Sequence, residues 1–199
     1  MTTRLAGSAR RALTLALTGS VLWAASSAAQ ERKVFAMIGG GPAVPVGSFG
    51  DGFGAGWNLS AGIGVALKNI PAEFRGQLSY GSFKESGTST GGPSASSKPL
   101  GLNADLLYRL GQREAKVQPY LVGGVGFYST KYASSYSIPG ETGGGGFSER
   151  DNGVSFGAGG GVAVRAGSIG VFAEARFTAI PGSGHSHLPL VVGVRLGRQ

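Results

Sequence analysis

The stretch Leu100-Gly101-Leu102-Asn103-Ala104-Asp105-Leu106-Leu107-Tyr108-Arg109-Leu110 decides the fold. Its even positions (Leu100, Leu102, Ala104, Leu106, Tyr108 and Leu110) are all apolar, and its odd positions include Asn103, Asp105 and Arg109. A helix would space apolar residues by three and four, whereas successive side chains of a strand point to opposite faces. The segment therefore reads as a strand with one apolar and one polar face. The same period recurs on either side. Phe74, Gly76, Leu78 and Tyr80 alternate with Arg75, Gln77 and Ser79; Trp57, Leu59, Ala61, Ile63, Val65 and Leu67 alternate with Asn58, Ser60 and Gly62. Further on, Val171, Ala173, Ala175, Phe177 and Ala179 alternate with Glu174, Arg176 and Thr178, and Leu188, Leu190, Val192, Val194 and Leu196 with His187, Gly193 and Arg195. Three less regular runs, Lys33–Val46, Tyr120–Tyr128 and Val154–Arg165, bring the total to eight strands. In the first two of these runs, glycines and apolar residues occupy both sets and leave the faces open.

Composition agrees with strands. Gly supplies 38 of 199 residues, far above the usual share of about 7%, and each Gly opposes a helix by about 1 kcal/mol relative to Ala. Hydrophobic residues make up 41% and charged residues only 14%, which excludes a charge-rich disordered chain. There is no Cys, so disulfide frameworks and thiolate metal sites are excluded.

The first 29 residues read as an address. Arg4, Arg10 and Arg11 precede an apolar run from Ala12 to Ala25, which closes on Ser26, Ser27, Ala28 and Ala29. This is the three-part pattern of a Sec-type secretory signal peptide cleaved after Ala29. The run is shorter than the ~20 residues of a membrane-spanning helix. Residues 30–199 then form the mature domain. Cleavage takes three arginines from the formal charge of +8. The remaining basic residues are scattered, with no run to track a phosphate backbone, so no nucleic-acid partner is expected.

The connections alternate in length. Asn69–Pro71, Gly111–Lys116 and Ala166–Ser168 are short; Gly47–Gly54, Glu85–Lys98 and Lys131–Asp151 are long and rich in Gly, Ser and Pro. Short turns at one end and long loops at the other are the layout of an outer-membrane barrel. Each strand reaches the ~9–11 residues that cross a bilayer when tilted, and closure removes edges that lipid would leave unpaired. The expected fold is all-β: an eight-stranded antiparallel up-and-down transmembrane β-barrel. Its polar face, with Arg75, Asp105, Arg109, Glu174, Arg176 and Arg195, suits a narrow lumen where charges pair. Glu174 and Arg176, two apart on one face, are expected to form an ion pair. Trp57, Tyr80, Tyr108 and Phe156 are the candidate aromatic girdle at the lipid boundary. A soluble lipocalin-like barrel, with the apolar set inside, is the alternative that alternation alone leaves open. Eight strands enclose an interior just filled by side chains, so no solute-conducting pore is expected.

From Val34 onward the chain resembles the small eight-stranded outer-membrane barrels, the class of the OmpA transmembrane domain, OmpX and the opacity proteins. The likeness is carried by Gly39–Asp51, Gly56–Gly64, Pro119–Tyr128, and Phe172–Phe177 with Leu188–Leu196. The resemblance implies a monomer in the bacterial outer membrane, in contact with outer-membrane lipid and lipopolysaccharide and inserted by the barrel assembly machinery. Members usually end on an aromatic residue that this machinery reads; here Leu196 is followed by Gly197, Arg198 and Gln199, a departure that bears on insertion.

Little in the sequence points to chemistry. Gly157-Ala158-Gly159-Gly160-Gly161 does not complete a G-x-G-x-x-G phosphate loop and is read as close backbone packing. His185 and His187 share a face beside Ser183, but no third metal ligand accompanies them, and an exposed polar loop is expected there. A lipid A-modifying enzyme using Ser183 with either histidine is the enzymatic alternative. The expected role is structural or surface-interacting, without catalytic residues, metal or cofactor. An unknown surface partner is expected at residues 85–98 and 131–151, with Tyr128, Tyr132 and Tyr136 as a sticky rim.

Overall fold

The computed structural model describes residues 33–87, 94–111, 115–137, 144–166, 169–182 and 184–197. The signal-peptide expectation for residues 1–29 lies outside the described residues. The strands are β1 (Val34–Val46), β2 (Gly56–Ala66), β3 (Ala72–Lys84), β4 (Ser94–Arg109), β5 (Val117–Ser137), β6 (Gly144–Ala166), β7 (Ile169–Ile180) and β8 (His185–Gly197). A short helix, α1 (Ser48–Gly52), follows β1. Each strand pairs antiparallel with the next, and β8 returns to β1. This closed eight-stranded up-and-down barrel is the architecture the alternation predicts.

Closure sorts the side chains into two environments. In β4 the even set points out and the odd set points in, so Leu102 is 63% exposed while Asp105 is fully buried. The ambiguous runs are resolved by their neighbours. Pairing places Phe35, Met37 and Ala43 of β1 inside and Ile38 outside; in β5, Tyr120, Val122 and Tyr128 point in, and Leu121, Val125 and Phe127 point out. A soluble barrel is dressed the other way round, with bulky apolar residues inside, so the lipocalin-like alternative does not describe this molecule.

Three positions illustrate the glycine content. Gly111 and Gly182 turn the chain after β4 and β7 at φ of 89° and 85°, where an L side chain is strained. Gly101 makes room instead: a Cβ there would lie 2.4 Å from the Tyr128 ring on the neighbouring strand.

The strands run past the expected boundaries at the long-connection end. Of the segment read as the loop Lys131–Asp151, residues 131–137 and 144–151 are paired strand, with Ser137 opposite Gly144. Ser94–Lys98, read as the end of another loop, belongs to β4. Beyond the apolar belt a strand needs only a hydrogen-bonded neighbour, so Gly, Ser and charged residues extend the hairpin without alternation. The connections 88–93 and 138–143 lie outside the described residues.

Candidate functional site: a closed lumen and its mouth

The site is the barrel interior, and strand parity positions every residue in it. At the short-connection end, Glu73 accepts two hydrogen bonds from Arg195, at 2.7 Å each, in a fork-to-fork pair. Arg109 also donates to Glu73 and to Gln118. The Arg195 guanidinium carbon lies 3.4 Å from the Phe35 ring centroid, a cation–π contact that fixes the fork from behind.

The middle layer centres on Arg75, which is 1% exposed. Its Nε and Nη2 donate to Asp105 Oδ2 at 3.0 and 2.9 Å, and Nη1 and Nη2 donate to Glu174 Oε2 and Oε1 at 2.8 and 3.0 Å. Tyr120 donates to Glu174 Oε2 at 2.9 Å, and Arg176 Nη1 pairs with Asp105 Oδ1 at 2.7 Å. The expected Glu174–Arg176 pair is thus corrected. Residues two apart on a strand are about 6.6–6.8 Å apart along it, and each reaches across the lumen to a partner from β3, β4 or β5 instead. These lumenal groups comprise four arginines, Arg75, Arg109, Arg176 and Arg195, against Glu73, Asp105 and Glu174.

Above this lies a neutral polar layer of Asn58, Gln77, Ser79, Asn103 and Thr178, capped by Tyr128, whose hydroxyl is 3.1 Å from Ser79 Oγ. Among the described residues, small voids of about 20 Å³ each lie here and in the layer below. A void of that size has room for about one water, so neither supports a continuous channel.

At the long-connection end an aromatic cluster fills the mouth. His185 and His187 are 1% and 2% exposed, which corrects the expectation of an exposed loop. Their parity is that of Val191 and Arg195, so β8 turns them inward. Phe49 of α1 lies over His185 with ring centroids 3.7 Å apart and meets Phe83 edge-on at 5.1 Å. Phe83 and Tyr128 contact His187 at 5.6 and 6.0 Å, and the Tyr132 hydroxyl is 3.2 Å from His185 Nδ1. Tyr128, expected on a sticky rim, is therefore a buried lumenal residue, and Tyr132 faces the mouth. The side chain of Tyr136 and residue Ser183 lie outside the described residues. Among the described residues, no group of three metal-ligating side chains occurs.

The four candidate girdle residues all face outward: Trp57, Tyr80, Tyr108 and Phe156 are exposed on the outer wall. Trp57 and Tyr80 touch, with centroids 5.5 Å apart, and Phe156 pairs with Ala179 beside the end of β7. Tyr108 sits at the other end, opposite Ala72. Sequence reading did not include Glu73 among the lumenal charges. Its odd position matches Arg75 and Gln77, so parity alone extends the set to it.

A closed barrel with an ionic interior and an apolar outer wall is the fold of the small eight-stranded outer-membrane barrels, and comparison with solved structures returns that class. The chain is similar to neisserial surface protein A (NspA; 16% identity, TM-score 0.55, covering 83% of this chain and 97% of that one). It is similar to a major outer membrane protein of Thermus thermophilus (16%, 0.55, 85% and 100%) and to Ail, the attachment invasion locus protein of Yersinia pestis (14%, 0.51, 85% and 100%). No protein-family model and no curated protein sequence matches the chain.

Proposed function

We infer that the chain is a monomeric outer-membrane β-barrel, exported by its N-terminal signal and held in the bacterial outer membrane. Its role is structural or surface-interacting, through the hairpins that extend beyond the membrane. One observation carries this reading: large apolar side chains such as Ile63 and Leu102 are more than 60% exposed around the wall, while Arg75, Asp105 and Glu73 are sealed inside. Water would penalise that outer wall, whereas acyl chains are its natural solvent. Occlusion of the lumen by ion pairs, and of the mouth by Phe49, Phe83 and the two histidines, argues against solute conduction.

The hairpins of residues 85–98 and 131–151 are the surface offered to an outside partner. NspA and Ail are named as a surface protein and an attachment invasion locus protein; a surface role for this chain is part of the proposal. The girdle and the lumenal network are assigned the roles of interfacial anchor and structural core. Lipid A-modifying chemistry at His185 or His187 is disfavoured, because both imidazoles are sealed among aromatic rings without access to a lipid substrate.

Cell fractionation followed by electrophoresis with and without boiling tests the reading. The protein is expected in the outer-membrane fraction, with a folded band whose mobility shifts on boiling. Recovery in the soluble periplasmic fraction without detergent would overturn it.

A further inference from the structure

Just beyond the apolar belt, at its long-hairpin end, three basic residues stand in one row across three adjacent strands. Lys98 of β4 pairs with Lys131 of β5, and Lys131 pairs with Arg150 of β6. All three are exposed. Strand parity turns them outward, since Ser97 and Thr130 beside them are buried in the lumen. Lys84 of β3 is exposed on the same face, opposite Ser96. Glu149 and Asp151 flank Arg150 along its strand and so belong to the other face. None of the ion pairs among the described residues involves Lys84, Lys98, Lys131 or Arg150.

Like charges directly opposite each other on neighbouring strands repel and destabilise the pairing. A row of three with no anion beside it on its own face is therefore a local electrostatic conflict that a bound anion would relieve.

The height of the row says which anion. Two positions inward on the same face lie Leu100, Ser129 and Asn152; two further lie Leu102, Phe127 and Val154, exposed by 63%, 54% and 55%. Two residues span about 6.6–6.8 Å of strand. The charged heads thus project where acyl chains give way to headgroups, and the aliphatic stems of the lysines lie along the apolar wall. Arg150 offers a planar fork for two phosphate oxygens, and the lysines offer point charges beside it. Ser129 and Asn152 lie beneath, with polar groups suited to sugar or glycerol oxygens.

We propose that the Lys98–Lys131–Arg150 row is a binding site for the phosphorylated headgroup of a lipid in the leaflet at the long-hairpin end of the barrel. The proposal rests on the transmembrane reading above and adds to it a site and a ligand chemistry.

The test uses the chain folded into phosphatidylcholine vesicles containing a small fraction of bis-phosphorylated lipid A, followed by gentle detergent extraction and mass-spectrometric measurement of retained lipid A. Each basic residue held at an anionic surface contributes about fivefold in affinity, and salt screening reduces the sum. The triple variant Lys98→Gln, Lys131→Gln, Arg150→Gln is expected to retain at least about tenfold less lipid A than the wild type. Lys116→Gln, at the opposite end of the barrel, is expected to retain as much as the wild type. Dephosphorylated lipid A is expected to abolish the difference between wild type and triple variant.

Equal retention by wild type and triple variant, both inserted in phosphatidylcholine, would overturn the site while leaving the membrane reading intact. Loss of the difference in millimolar inorganic phosphate would overturn the lipid as ligand and leave a general anion site. Failure of the wild type to insert in any vesicle would overturn both readings.

Discussion

Replacing Arg75 by methionine removes the cation at the centre of the lumen. Arg75 makes four hydrogen bonds to Asp105 and Glu174 at 2.8 to 3.0 Å and is 1% exposed. Without it, Asp105 keeps Arg176 as its partner, whereas Glu174 keeps, among the described residues, only the neutral Tyr120 hydroxyl. Breaking a buried ion pair from one side destabilises by about 3–5 kcal/mol, because the remaining charge stays buried and uncompensated. With a urea m-value of about 2 kcal/mol/M, the unfolding midpoint of the vesicle-inserted barrel falls by about 1.5–2.5 M. The assay is urea titration read by the loss of the unboiled folded band. Combining Arg75→Met with Glu174→Gln removes the stranded charge, leaves the Asp105–Arg176 pair in place, and should recover most of the lost stability. An Arg75→Met midpoint within error of the wild type, or no recovery in the combined variant, would refute the idea that paired charges hold the lumen together.

Gly101→Val forces a side chain into the Tyr128 ring 2.4 Å away; overpacking of this kind costs about 1–3 kcal/mol and is measured by the same titration. Phe49→Ala removes the ring over His185 and Phe83. It should release Ser48–Gly52 from the mouth, seen as faster proteolytic cleavage within residues 47–54 while the barrel band survives. Leu102→Arg puts a cation on the lipid face and should destabilise the inserted barrel by about 2–4 kcal/mol; no effect would mean that this face does not meet hydrocarbon.

What could be read from the sequence was set by how strictly each strand alternates. β3, β4 and β7 carry large apolar residues on one face and charges on the other, so both their existence and their orientation are written in the residue order. β1 and β5 mix glycine with apolar residues on both faces, and only pairing with neighbours of known parity decides which way Met37 or Tyr120 points. The outer halves of β5 and β6 lie beyond the apolar belt, where solvent on both sides removes the need for alternation, and they read as loops. His185 and His187 share the parity of Arg195, a signal that the Gly-rich turn before them obscured. The pairing of Arg75 with Glu174, 99 positions apart, depends on closure of the ring and on which strands face each other across it. No local pattern encodes that.

The most direct measurement is a spin-label scan through residues 100–110, each replaced in turn by labelled Cys, which the Cys-free chain makes unambiguous. In vesicles, even-numbered labels should collide freely with lipid-dissolved oxygen, and the inward odd-numbered positions should be shielded from both oxygen and a water-soluble nickel relaxant. Nickel accessibility rising at Leu102 and Leu106, with oxygen accessibility flat along the strand, would place that wall in water and contradict the account.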